Sequence, residues 1–99
     1  MLPSEAGVAL HMMALGERAG MVPFRGGLFV VAPGATSRAD THAVTEIWMV
    51  ARGRGILTYA DETFEVGPGD WLLYDPHHAH QIRNDGPDEL AIYALWWDA

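Results

Sequence analysis

Three side chains with metal-binding chemistry fall within one short stretch. From Pro33 to Gly53 the chain reads PGATSRADTHAVTEIWMVARG, which sets Asp40, His42 and Glu46 at positions i, i+2 and i+6. The three share one parity, so on an extended strand they project from the same face. Carboxylate, imidazole and carboxylate converging on one side of a sheet form the donor set a divalent metal needs. Buried charges of this kind must be paired or coordinated to persist.

A second cluster follows downstream. The segment PGDWLLYDPHHAHQIRNDG, Pro68 to Gly86, carries His77, His78 and His80, then Asn84. A single histidine is more often a surface or satisfied core residue than a ligand. Here three of the five histidines sit together, and His78 and His80 share a parity that places both on one side if the segment is extended.

The elements that must position these groups read as β. Apolar runs rich in Val, Ile, Leu and aromatics alternate with Gly, Pro and Asp clusters. Strands are expected near Val8–Leu15, Leu28–Ala32, Glu46–Ala51, Gly55–Tyr59, Thr63–Val66, Trp71–Tyr74, His80–Arg83 and Leu90–Trp97. Ala60-Asp61-Glu62 reads as a tight hairpin. Short strands at such spacing, with no helical period between them, predict an all-β sandwich or barrel rather than a parallel α/β sheet.

Composition narrows the function classes. Ninety-nine residues make one domain, 1–99, and a chain this size buries roughly 60–68% of its unfolded surface. With no cysteine, disulfides and thiolate metal sites are excluded, and any metal must be held by N and O donors. A net charge of −7 argues against phosphate backbones and anionic membranes as partners, so neither nucleic acid nor membrane is expected. All six basic residues are arginine, and no mechanism follows from that. The N-terminus lacks a basic leader, and no apolar run approaches the roughly 20 residues of a spanning helix. A cytoplasmic protein is the expectation.

Together the two clusters resemble the cupin family. Its first motif, G-x5-H-x-H-x3,4-E-x6-G, is matched by Gly34-x5-Asp40-x-His42-x3-Glu46-x6-Gly53, with Asp40 in the place of the first histidine. The second, G-x5-P-x-G-x2-H-x3-N, is matched by Gly69-x5-Asp75-x-His77-x2-His80-x3-Asn84. There Asp75 takes the proline position and His77 the glycine position. The resemblance implies a double-stranded β-helix, the cupin jelly-roll barrel, and one divalent metal per chain on Asp40, His42, Glu46 and His80. Zinc is the metal expected, with iron or manganese as alternatives. Asp40 either ligates, or stands beside a three-ligand site as a proton acceptor. Asp40 in that second role, His78 and Tyr74 are the candidate catalytic groups. Trp48, of the same parity as Glu46, is expected to point inward as core or pocket wall. Trp71 and Trp96 are the other pocket candidates, and Asn84 is expected to tie down a turn.

Such a barrel implies a metal-dependent enzyme acting on a small molecule. EIWMVARGRG and LAIYALWWD are similar to stretches of the zinc-binding cupins of hydrazine-forming systems in bacterial secondary metabolism. Those rearrange an aminoacyl ester of an N-hydroxylated amine to make an N–N bond. The alternatives are a non-haem iron dioxygenase and a cupin that binds a small ligand or metal without turnover. The resemblance also implies a homodimer. Val8–Leu15, apolar on both faces, suits strand pairing between copies, and one of Trp96 and Trp97, which differ in parity, is expected to face outward at an interface.

Overall fold

A computed structural model of the chain describes residues 7–37, 39, 41 and 43–98. Among these residues lie eight strands: β1 Val8–Met12, β2 Arg25–Val31, β3 Thr45–Arg52, β4 Gly55–Tyr59, β5 Glu62–Val66, β6 Trp71–Tyr74, β7 His80–Arg83 and β8 Leu90–Trp97. One short 3-10 helix, Gly16–Met21, lies between β1 and β2. The strands form two antiparallel sheets, ordered β1-β2-β8-β3-β6 and β5-β4-β7. This is the all-β double-stranded β-helix that the sequence implies.

Side-chain alternation decides what lies between the sheets. Phe29, Ile92 and Val50 share one row of the larger sheet, and Ala94, Trp48 and Leu72 the next. Both rows turn inward to meet Leu57, Val66 and Ile82 of the smaller sheet, and Leu72 alone among these stays half-buried. Burying one such large apolar side chain contributes about 1.5–3 kcal/mol. The opposite parity carries Tyr93, Trp71 and Leu73, all exposed on the outer face.

Among the boundaries that differ from expectation, three have a clear local reason. β1 ends at Met12 rather than Leu15, because Gly16 at φ +57 turns the chain into the 3-10 helix. β2 begins at Arg25 rather than Leu28, so two glycines that resemble breakers are strand residues. A Cβ on Gly26 would lie 2.6 Å from the Leu95 side chain and 2.9 Å from the Ala94 carbonyl, so close packing on β8 selects glycine there. The β4–β5 hairpin turns on Ala60 and Asp61 alone, with φ +49 and +67, the two positive values of a type I′ turn, which returns Glu62 to β5.

One loop joins the two sequence clusters. Residues 34–37 run along the open edge of β7. The Ser37 N–H donates to the Ile82 carbonyl (2.8 Å), and Asn84 N–H donates to the Ala35 carbonyl (2.9 Å). The Ser37 hydroxyl in turn accepts the Ile82 N–H (3.0 Å). The approach to the first cluster is thereby laced to the strand that carries the second.

Candidate metal centre

Glu46 and His80 arrive at the centre from different sheets. Glu46 is the second residue of β3, in register with Tyr74 on β6 and Trp96 on β8. His80 opens β7, in register with Tyr59 on β4. Both side chains are only 3% exposed, and Glu46 Oε1 lies 3.2 Å from His80 Nε2.

The protonation logic of that contact points to a cation. His80 Nδ1 lies 3.4 Å from the His78 carbonyl oxygen, an atom that only accepts, so Nδ1 carries the proton of this bond. In a neutral imidazole the other nitrogen, Nε2, then turns a lone pair toward a carboxylate oxygen. The two atoms are close but not aligned as a hydrogen bond, and Glu46 Oε1 has no hydrogen-bond partner among the described residues. Two ligands on one ion, each bonded at about 2.1 Å, take a separation of this size. An Nδ1–H fixed on a backbone carbonyl is also the usual support for a metal-bound histidine. The donor set therefore fits a divalent metal.

Asp40 and His42 lie outside the described residues. Among the described residues, no cluster of three or more His, Cys, Asp or Glu forms. The flanking chain is placed: Ser37 is buried against Ile82, and β3 begins at Thr45.

Aromatic rings close the centre. Tyr74 stacks on His80, with centroids 4.3 Å apart and planes at 9°. Trp48 meets His80 edge-on at 5.2 Å, Tyr74 at 4.7 Å and Phe29 at 4.8 Å. Burial pushes the Tyr74 phenol far above its ordinary range, and the nearby Glu46 carboxylate and Tyr59 push it further. Tyr74 is therefore a neutral donor at any physiological pH.

The remaining sequence candidates separate clearly. Trp48 and Tyr74 are buried at the centre. Trp96 is half-buried and packs on the core; with Trp97, Phe24, Arg25 and Val44 it lines a cavity of about 440 Å³. Both tryptophans line this cavity, and of the two only Trp96 packs against the core. Trp71 is 66% exposed and cannot line the interior, because Leu72 and Tyr74 take the inward parity of β6. His78 is exposed, its ring 5.9 Å from that of Tyr59, so what it brings to His80 is its carbonyl and not its imidazole.

His77 stands where the motif has glycine and keeps the glycine conformation, with φ +66. Asn84, fully buried, donates from Nδ2 to the carbonyls of Val31 and Asp88 (both 2.8 Å), and its Oδ1 accepts from Gly86 N–H (3.0 Å). It ties down the turn before β8. Tyr59 was missed by the sequence reading. It shares the inward parity of Leu57, which was the available signal, and its hydroxyl accepts the Asp75 N–H at 3.1 Å, holding the turn before His80.

Comparisons with known proteins agree with this architecture. The family described as Cupin domain matches residues 27–97. An uncharacterized protein of Methanocaldococcus jannaschii, MJ1618, is 34% identical over 64 residues, covering 64% of this chain and 51% of that protein. The chain thus spans about half the length of that curated relative. A solved cupin 2 conserved barrel domain protein from Salinispora arenicola superposes with a TM-score of 0.86 at 29% identity, over 100% of this chain and 82% of the other. A cupin 2 domain-containing protein from Halorhodospira halophila gives 0.82 at 27% identity, over 98% and 68%.

Proposed function

Because the chain belongs to the cupin domain family, we propose that its barrel holds one divalent metal ion and acts on a small molecule bound beside it. The observation that carries this reading is the approach of Glu46 Oε1 to His80 Nε2, a buried carboxylate oxygen and a buried imidazole nitrogen 3.2 Å apart. Glu46 and His80 would hold the ion, with His42 and Asp40 supplied by the first motif. Zinc suits a set of imidazoles and carboxylates; iron and manganese use the same donors.

Lewis-acid polarisation of a substrate oxygen or nitrogen is the chemistry such an ion supplies when bound. The chain's own groups do the rest. Trp48, Phe29 and Tyr74 exclude water and present apolar walls. Tyr74 holds its proton and can donate a hydrogen bond. Asp40, where it does not ligate, is placed by the motif to accept a proton.

The sharper form of the proposal is zinc-dependent N–N bond formation in bacterial secondary metabolism, by rearrangement of an aminoacyl ester of an N-hydroxylated amine. Its support is the likeness of EIWMVARGRG and LAIYALWWD, together with an acidic chain suited to an amine-bearing substrate. We further read the chain as a cytoplasmic homodimer. Among the described residues β1 is an edge strand, and the adjoining outer face carries Leu28, Tyr93, Met49 and Trp71 in one row without a carboxylate. Two copies of a chain of charge −7 can meet there with their acidic groups kept apart.

Elemental analysis and an activity assay on the purified protein and an Asp40→Ala variant test the reading. Zinc in both, with N–N product lost in the variant, assigns Asp40 to proton transfer. Zinc lost from the variant assigns it to ligation. Iron with O2 uptake favours the dioxygenase reading. Metal without turnover on any substrate favours the binding module, and no metal in either protein contradicts the proposal.

A further inference from the structure

We propose that Tyr74 Oη and Trp48 Nε1 form a pair of hydrogen-bond donors for a small molecule bearing an acceptor oxygen, a carboxylate first of all, bound beside Glu46 and His80. The inference rests on the metal reading in one respect: a cation offsets the charge of Glu46 that would otherwise oppose an anionic ligand.

Both donors are buried, Trp48 at 1% and Tyr74 at 2% exposure, and neither polar atom has a partner among the described residues. Buried polar groups without partners are rare in folded chains, and each calls for a physical explanation. Two of them in one ring cluster, with centroids 4.7 Å apart, are rarer still. Packing alone gives no reason for the hydroxyl or the indole nitrogen: phenylalanine fills the Tyr74 site as well and strands nothing.

The chemistry of the pair defines its ligand. Indole Nε1–H only donates, and a phenol O–H is a good donor to an oxygen acceptor. A group held by both must therefore accept, although the phenol oxygen by itself can also accept. A carboxylate or carbonyl oxygen fits; an ammonium does not. Both residues touch the His80 ring, at 4.3 Å and 5.2 Å between centroids, which puts the pair beside the proposed metal centre.

The test is calorimetric titration with acetate of wild type, Tyr74→Phe and Trp48→Phe, each zinc-loaded and metal-free, with zinc content measured separately. Acetate is expected to bind wild type, and each variant to bind it about tenfold or more weakly with zinc content unchanged. Tyr74→Phe is further expected to melt no lower than wild type, since it removes a buried hydroxyl that has no internal partner. The proposal is overturned if wild type binds acetate in neither form, or if Tyr74→Phe binds it as tightly as wild type. It is equally overturned if methylammonium binds in its place, or if Tyr74→Phe melts several degrees lower. Zinc content alone judges the metal reading, so the two can fail separately. Should Trp48→Phe not fold, Tyr74→Phe decides the matter.

Discussion

Glu46 Oε1 and His80 Nε2 stand 3.2 Å apart on strands of opposite sheets, each side chain buried, with the His80 ring held from behind by the His78 carbonyl. A carboxylate and an imidazole nitrogen brought to this separation in a buried aromatic enclosure are costly unless a positive charge joins them. The fold maintains this arrangement through contacts far from the two atoms, and those contacts are open to test.

Asn84 is the first. It satisfies two carbonyls and one N–H from full burial, so Asn84→Ala leaves all three main-chain groups without that partner. A loss of about 3 kcal/mol is expected, measured by denaturant unfolding. A loss below about 1 kcal/mol contradicts the assigned role.

Gly53 is the second. Its φ is +84, and a Cβ there would overlap the Glu89 carbonyl oxygen. Gly53→Ala therefore meets both strain and collision, and a loss of at least about 2 kcal/mol is expected in the same measurement.

Tyr74 makes stability depend on alkaline pH. Its folded pKa is raised above the unfolded value near 10, so the folded state holds the proton more tightly. This group's contribution is fully present below about pH 10. It declines as pH rises further, by about 1.4 kcal/mol per pH unit at most. Thermal melts from pH 8 to 11 are expected to show a fall in wild type that is shallower in Tyr74→Phe. Equal slopes contradict it.

Trp71 separates the inner face from the outer. At 66% exposure, Trp71→Ser is expected to change unfolding free energy by less than about 0.5 kcal/mol and to leave metal content unchanged. If the outer face joins two copies, the same variant lowers the dimer fraction in analytical ultracentrifugation. A wild type of monomer mass contradicts the homodimer.

Much of this was legible because period-2 alternation and turn residues are local signals. β4, β6, β7 and β8 fall at the expected residues, and the motif spacing brings Glu46 and His80 to one centre. What escaped depends on contacts between strands. Gly26 and Gly27 fall outside the expected strand from Leu28, and their place in β2 shows only once β8 and β1 are seen packed against them. Trp71 differs from Tyr74 only in parity, and that is fixed by register with β3. His78 acts through its backbone, which residue type does not reveal. Asp40 and His42, the other half of the expected ligand set, lie outside the described residues.

Metal stoichiometry of the purified protein, compared with Glu46→Gln and His80→Ala, tests the central claim most directly. One divalent ion per wild-type chain, falling well below half that in each variant while both remain folded, is the result expected. A folded wild type that takes up no zinc, iron or manganese, or variants that retain a full equivalent, would contradict it.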